Sequence, residues 1–194
     1  MLTEQRTNKF LSVLQHRQPD LTVVMEDIHD PHNVSAMLRS ADAVGLMEVQ
    51  LVYKNEEFPK LGKKSSASAT KWIARRKFPS IEECYAKLHE EGYIICATHL
   101  SKKAKSLYDH DLTKKIALVF GNEHRGVSDT AAKLADVNFL IPMVGMIQSL
   151  NVSVACAVSL YEAYRQRIKK GNYSRANLPE KDIDELFKQW AHKR

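Results

Sequence analysis

Short apolar runs rich in β-branched residues recur along the chain: "LTVVME" at 21–26, "VQLVY" at 49–53, "YIICAT" at 93–98, "IALVF" at 116–120 and "VNFLI" at 137–141. Segments with helical periodicity lie between them, and this alternation predicts an α/β fold, a mostly parallel sheet flanked by helices. Between Asn33 and Val44 the apolar residues Val34, Met37, Leu38, Ala41 and Val44 repeat at helical spacing; Asp30 supplies a cap, Pro31 a first-turn proline and Gly45 a stop. A second helix, 80–92, carries Ile81, Cys84, Tyr85 and Leu88 on one face and acids on a solvated one. A long third begins near Ser149 and runs to Gly171, with Val152, Ala155, Val158, Tyr161, Tyr164 and Ile168 as its expected buried stripe. Residues 3–17 and 179–192 form two further helical segments outside this core; they could pack on it, pair with a second subunit or reach toward a ligand.

Charge narrows the choice of partner. Lys and Arg number 29 against 23 Asp and Glu, a net charge of +6 that favours anionic partners, nucleic acid foremost. The three cysteines, Cys84, Cys96 and Cys156, lack ligand spacing, so no metal site is expected and a reducing, cytoplasmic setting fits. The N-terminus is charged and no stretch nears the roughly 18 apolar residues of a membrane span, so neither a signal peptide nor a membrane association is expected.

Three segments carry the chemistry. In "EDIHDPHNVSAMLRSADAVG" (26–45), Arg39 lies about 140° around the helix from Val34 and so points away from the apolar stripe, where it is either a plain solvent-facing arginine or a functional one. In "GNEHRGVS" (121–128), a strand end passes into a backbone that Gly121 and Gly126 allow to approach a ligand closely; the alternative is a glycine-bounded turn whose Glu123 caps the following helix. The spacing fits neither GxGxxG nor a P-loop. In "IPMVGMIQSLNVSVACAVSLYEA" (141–163), Ser149 and Asn151 open a helix after a loop holding Met143, Val144, Met146 and Ile147. Apolar residues there wall a pocket for something flat and partly apolar, or meet a neighbouring element or a second subunit.

Taken together, "HNVSAMLRSADAVG", "ALVFGNEHRGVS" and "IPMVGMIQSLNVSVACAVSLYE" resemble, in order and spacing, the three motifs of the SpoU branch of the SPOUT methyltransferases, over roughly residues 20–170. "RQPDLTVV" (17–24) and "TKW" (70–72) look most similar to members that act on the ribose of guanosine 18 in the tRNA D-loop. The resemblance implies an α/β sheet with a C-terminal deep trefoil knot and a homodimer in which the arginine-bearing helix of one subunit faces the cofactor of the other. It also implies three parts: an N-terminal helical extension for RNA (1–19), a SPOUT methyltransferase domain (20–171) and a C-terminal helical extension (172–194). The implied reaction is methylation of a ribose 2′-hydroxyl of tRNA by S-adenosyl-L-methionine. Cofactor contacts then fall on Thr98, Leu100, Gly121, Ile141, Met143, Ser149 and Leu150, and catalytic or supporting roles on Arg39, Asn33, Glu123, Ser149 and Asn151. Two departures from the family's pattern are the glycine-free "SSASATKW" and the arginine of "EHRG".

A guanidinium keeps its proton in neutral water, so Arg39 fits a clamp on the adjoining phosphate that polarises the hydroxyl better than a general base. RNA grip is expected from Arg6, Lys9, Arg17, Lys71, Arg165, Arg167, Lys169 and Lys170, and from the basic run 63–77 around Trp72, a residue that could instead be core. Alternatives are a sibling enzyme acting on ribosomal RNA or the anticodon loop, and a catalytically silent RNA-binding protein that kept the fold.

Overall fold

A computed structural model of the protein describes residues 2–54, 57–60, 69–101 and 104–192. Lys63, Lys64 and the serine-rich stretch 65–68 of the basic run lie outside the described residues. In chain order the elements are α1 (Glu4–Gln15), β1 (Leu21–Glu26), α2 (Pro31–Ala43), β2 (Glu48–Val52), α3 (Ala69–Trp72), β3 (Ala74–Phe78), α4 (Ile81–Glu90), β4 (Ile94–Thr98), β5 (Lys105–Ser106), β6 (Ile116–Phe120), α5 (Asp129–Leu134), β7 (Val137–Leu140), α6 (Val152–Lys170) and α7 (Glu180–Ala191). No helix among the described residues is long and apolar enough to cross a membrane.

The seven strands form one parallel sheet in the order β3-β2-β1-β6-β4-β7-β5. β1 and β6 are buried along their whole length, as expected of central strands covered on both faces. One face packs Val34, Met37, Leu38 and Ala41 of α2 with Cys156, Leu160 and Ala163 of α6 against Val23, Met25, Leu118 and Phe120. On the other face Cys84, Tyr85 and Leu88 of α4 and Ala131 of α5 meet Val24, Ile95 and Val119. Asp30 caps α2 by accepting from the His32 N–H at 2.7 Å, and Pro31 opens it.

Two elements differ from expectation. β3, "ARRKF", is a strand although it carries three basic residues: at the sheet edge its side chains need not be buried, and Arg76 is held by Gln50 Oε1 at 2.8 Å and by Glu91 at 2.6 and 3.0 Å. α6 starts at Val152, with Asn151 as its cap, and its fully buried line is Cys156, Ser159, Leu160, Ala163 and Arg167. Of the expected stripe, Val152, Ala155, Val158 and Tyr164 are partly buried, while Tyr161 and Ile168 are exposed. The helix presents apolar side chains on more than one face, and only the side toward α2 and the sheet is covered.

The terminal helices pack on each other. Phe10 and Leu14 of α1 meet Trp190 of α7 and Trp72, with the Phe10 and Trp190 rings 5.7 Å apart and the Trp72 and Trp190 rings 5.0 Å apart. Trp72 is therefore a packing residue.

Candidate active site

Parallel pairing sets the carboxyl ends of β1, β6, β4 and β7 side by side: Met25 pairs with Phe120, Ala97 with Val119 and Thr98 with Phe139. The segments that leave them, 99–101, 121–128 and 141–151, must therefore meet along one edge of the sheet, where ligands of open α/β folds collect. They enclose a cavity of about 540 Å³, within the range of small-molecule sites. All seven expected cofactor residues, Thr98, Leu100, Gly121, Ile141, Met143, Ser149 and Leu150, line it. Thr98 Oγ1 donates to Val119 O at 3.0 Å, which spends that hydroxyl on the sheet.

The 121–128 loop is folded back on itself. A Cβ on Gly121 would lie 2.2 Å from the carbonyl of Gly126 and the nitrogen of Val127, so the close approach that requires glycine there is to the protein's own backbone. Gly126 holds a φ of +69°, and its N–H donates to Asn122 O at 2.8 Å. Asn122 ties the turn down, donating through Nδ2 to Asp27 O at 2.8 Å and accepting at Oδ1 from the His124 N–H at 3.0 Å.

Glu123 does not cap the helix that follows, a task done by Ser128, whose Oγ accepts from the Ala131 N–H at 3.1 Å. It reaches back across the sheet edge instead. Its carboxylate accepts from the His29 N–H at 3.0 Å, the Asp30 N–H at 3.1 Å and Asn33 Nδ2 at 2.8 Å. Asn33 Oδ1 in turn accepts from Asn151 Nδ2 at 3.1 Å, and Asn151 Oδ1 caps α6 by accepting from the Ser153 N–H at 2.9 Å. Glu123, Asn33 and Asn151 thus form one relay that joins α2, the 121–128 loop and the start of α6. Partial burial raises the Glu123 carboxyl, but the bonds from Asn33, His29 and Asp30 outweigh it and hold the group below the usual carboxylate range.

Arg39 stands apart. It is exposed on α2, does not line the cavity and has no hydrogen bond or ion pair with the described residues. Of the apolar loop residues, Met143 lines the cavity, whereas Val144, Met146 and Ile147 are exposed outside it.

Two expected RNA contacts are corrected. Arg17 is 1% exposed, donates to Leu46 O at 2.5 Å, pairs with Asp42 at 2.8 Å and lies over the Trp190 ring. Arg167 is fully buried, with its guanidinium among Gln18, Asp20, Leu112 and Lys114. Both are spent on internal acceptors and cannot reach a phosphate. Arg6, Lys9, Lys71 and Arg165 are exposed, as are Lys169 and Lys170. The three cysteines are buried, and burial pushes the Cys84 and Cys96 thiols up to about 12 and raises Cys156 as well, so none is a nucleophile.

Sequence reading passed over Asn122, Gln148 and the Asp27 on which the loop rests. Asn122 sits between Gly121 and Glu123, and its place after a strand end was the available signal. Asp27 has a φ of 51°, which nothing in the sequence announces.

An α/β chain with a partly apolar cavity at the carboxyl edge of a parallel sheet and polar amides at its rim belongs to the class of open parallel α/β proteins that hold a small ligand at the strand ends. More narrowly, the chain belongs to the SpoU rRNA Methylase family, whose model matches residues 20–161. It is 44% identical over 191 residues to the tRNA (guanosine(18)-2'-O)-methyltransferase of Thermus thermophilus, with 98% of each chain covered. The TrmH/SpoU tRNA modifying enzyme of A. aeolicus superposes with a TM-score of 0.92 at 38% identity, over 98% of this chain and 96% of that one. The SpoU methyltransferase AviRb from Streptomyces viridochromogenes, solved in complex with AdoMet, matches with a TM-score of 0.68 at 27% identity, over 80% and 62% of the two chains.

Proposed function

We propose that this protein methylates the ribose 2′-hydroxyl of guanosine 18 in the D-loop of tRNA, with S-adenosyl-L-methionine as donor. The observation that carries the reading is the strand-end cavity closed by the Glu123–Asn33–Asn151 relay, in a chain 44% identical to a tRNA (guanosine(18)-2'-O)-methyltransferase. The cavity fits the donor: aliphatic Leu100, Ile141 and Leu150 suit an adenine, and Ser149 offers a polar rim. When bound, the donor would supply an electrophilic methyl on a sulfonium sulfur, whose methyl–sulfur bond would break as a bond formed between that methyl carbon and the ribose 2′-oxygen. A ribose hydroxyl is a weak nucleophile, so holding oxygen, carbon and sulfur in line supplies much of the rate.

Arg39 clamps the phosphate beside the target ribose and polarises its hydroxyl, whose proton passes to phosphate or water. Its absence from the lining of its own chain's cavity supports a homodimer, in which α2 of one copy faces the cavity of the other. The exposed apolar side chains Val144, Met146, Ile147, Val154 and Tyr161, on the third loop and α6, support a subunit contact on this side. Chain threading as a deep trefoil knot made by the second and third motif regions is consistent with β6 lying between β1 and β4 and β7 between β4 and β5. Lys71 and Arg165, with Arg6 on α1, are the cations assigned to the phosphate track, and the setting is the cytoplasm.

The test is transfer of labelled methyl to an unmodified tRNA transcript and to one in which guanosine 18 is replaced. Label that enters the first as a 2′-O-methylguanosine and not the second supports the reading. Equal labelling of both, or labelling of ribosomal RNA alone, overturns the assigned position.

A further inference from the structure

Arg39 carries its charge next to an acid that does not pair with it. Side chains three or four positions apart on a helix lie side by side, and opposite charges there attract. Of the four such neighbours of Arg39, namely Ser35, Ala36, Asp42 and Ala43, only Asp42 is charged, and it is the only acid in α2. An Arg39–Asp42 ion pair is therefore what the helix by itself favours. The fold replaces it. The Asp42 carboxylate accepts from Arg17 Nη2 at 2.8 Å, the distance of a tight charge-assisted bond, and Arg39 makes no ion pair with the described residues.

Arg17 reaches Asp42 from outside the helix and is itself fixed. Its Nη1 donates to Leu46 O at 2.5 Å, its Nη2 also reaches Trp72 O at 3.4 Å, and the Trp190 ring of α7 lies over it with the centroid 5.2 Å from Cζ. At 1% exposure its donors meet no competing water. The Asp42 side chain, by contrast, is 32% exposed. Released from Arg17, it would keep its charge in water and be able to turn along the helix toward Arg39, where it would offset the charge that a phosphate is to meet.

We propose that Arg17 is a positioning residue for methyl transfer: it holds the one acid of α2 so that Arg39 keeps its full charge for an RNA phosphate, which rests on reading Arg39 as the phosphate clamp. The buried arginine thus acts on the reaction through Asp42, without reaching RNA itself. Through Trp190 the same contact joins the α1–α7 cluster to the helix that carries Arg39.

The experiment compares labelled-methyl transfer to an unmodified tRNA transcript by the wild type, Arg39→Ala, Arg17→Met and the double variant Arg17→Met/Asp42→Asn. Circular dichroism checks each fold, and calorimetry the uptake of S-adenosylhomocysteine. Arg17→Met is expected to lower kcat/KM for tRNA about three- to fivefold, up to the worth of an exposed ion pair, with S-adenosylhomocysteine affinity unchanged. The double variant leaves no acid on α2 and is expected to return to within about twofold of the wild type. A merely structural arginine would leave the double variant as slow as the single or slower, and that result overturns the proposal, as does an Arg17→Met protein of wild-type activity. If Arg17→Met does not fold, Ala43→Glu keeps the test open. Ala43 is exposed and four residues after Arg39, so the substitution sets beside it an acid that Arg17, already paired, does not hold. Ala43→Glu is expected to lose about three- to fivefold where Ala43→Gln does not, and equal activity of the two overturns the proposal. An Arg39→Ala protein as active as the wild type removes the clamp and the proposal with it, whereas a wild type inactive on tRNA removes the methyltransferase reading itself.

Discussion

Replacing Arg167 by alanine tests whether this arginine is a structural clasp or an RNA contact. All five of its N–H donors are used: Nε donates to Leu112 O at 3.0 Å, one terminal nitrogen to Gln18 Oε1 at 3.1 Å and to the Asp20 carboxylate, and the other to Asp20 O at 3.2 Å and Lys114 O at 2.6 Å. It therefore ties α6 to the segments entering β1 and β6, the two central strands. Removing one partner of a buried ion pair costs about 3–5 kcal/mol. The Asp20 side chain is 33% exposed and can regain water, which puts Arg167→Ala at the lower end, about 3 kcal/mol. Against a total stability of about 5–15 kcal/mol this is a large share. With a urea dependence near 3 kcal/mol per molar, the unfolding midpoint falls by about 1 M, and the melting temperature by roughly 6–12 °C.

The assay is urea unfolding followed by circular dichroism at matched protein concentration, since a subunit contact would make the midpoint concentration-dependent. Arg165→Ala is the control. That side chain is 53% exposed and pairs with Glu162, which is 7% exposed and keeps a bond from Gln166 at 2.8 Å, so its removal should lower the midpoint clearly less than Arg167→Ala does and lower the salt slope of tRNA binding by about one contact. An Arg167→Ala protein that unfolds within about 0.2 M urea of the wild type, yet binds tRNA more weakly, refutes the clasp and restores the arginine to the RNA surface.

Gly121→Ala places a Cβ 2.2 Å from the Gly126 carbonyl, so the loop must shift; we expect about 1–3 kcal/mol of destabilisation and loss of S-adenosylhomocysteine uptake, and wild-type affinity by calorimetry would contradict it. Because the folded Glu123 carboxyl is held below its ordinary value, its stabilisation is fully present above the usual carboxylate range and lost as pH falls through the lowered value. The midpoint gap between the wild type and Glu123→Gln should thus be constant near neutrality and close below about pH 4, and a gap that widens in acid would sink the relay's charge. If sites are shared between copies, Arg39→Ala and Ile141→Arg are each inactive alone, but co-expressed chains regain roughly a quarter of wild-type sites in labelled-methyl transfer, since half the dimers are mixed and each has one intact site. A mixture that stays inactive means that each chain completes its own site.

The central strands were legible because burial on both faces demands continuous apolar runs, as in "LTVVME" and "IALVF". β3 was not, since an edge strand places no such demand and "ARRKF" reads as a charge run. α6 was legible as a helix but not by face: Val154, Tyr161 and Ile168 are apolar and exposed, so periodicity alone could not tell the covered side from a side free to meet another subunit. Arg17 and Arg167 show the same limit for charge. Nothing local separates them from Arg6 or Arg165; what buries Arg167 is contact with Gln18 and Asp20, nearly the whole chain away. The seven residues that motif resemblance assigned to a cofactor do line one cavity, yet the bond that links Asn33 to Glu123 spans 90 positions and had no local trace.

That long-range bond also ties the helix carrying Arg39 to the loop that shapes the cavity. Asn33 and Arg39 stand six residues apart on α2, about 9 Å along its axis. Val34, Met37, Leu38 and Ala41 fix the helix against the sheet and α6, but apolar packing alone tolerates small slides along the axis. The relay removes that freedom. The Glu123 carboxylate holds the two N–H groups ahead of the helix and the Asn33 amide, and Asn151 ties the same amide to the start of α6. The loop that shapes the cavity and the helix that carries Arg39 are thereby set by one carboxylate. The 121–128 loop and the helix that carries Arg39 therefore share one anchor, although Arg39 itself does not line the cavity of its own chain.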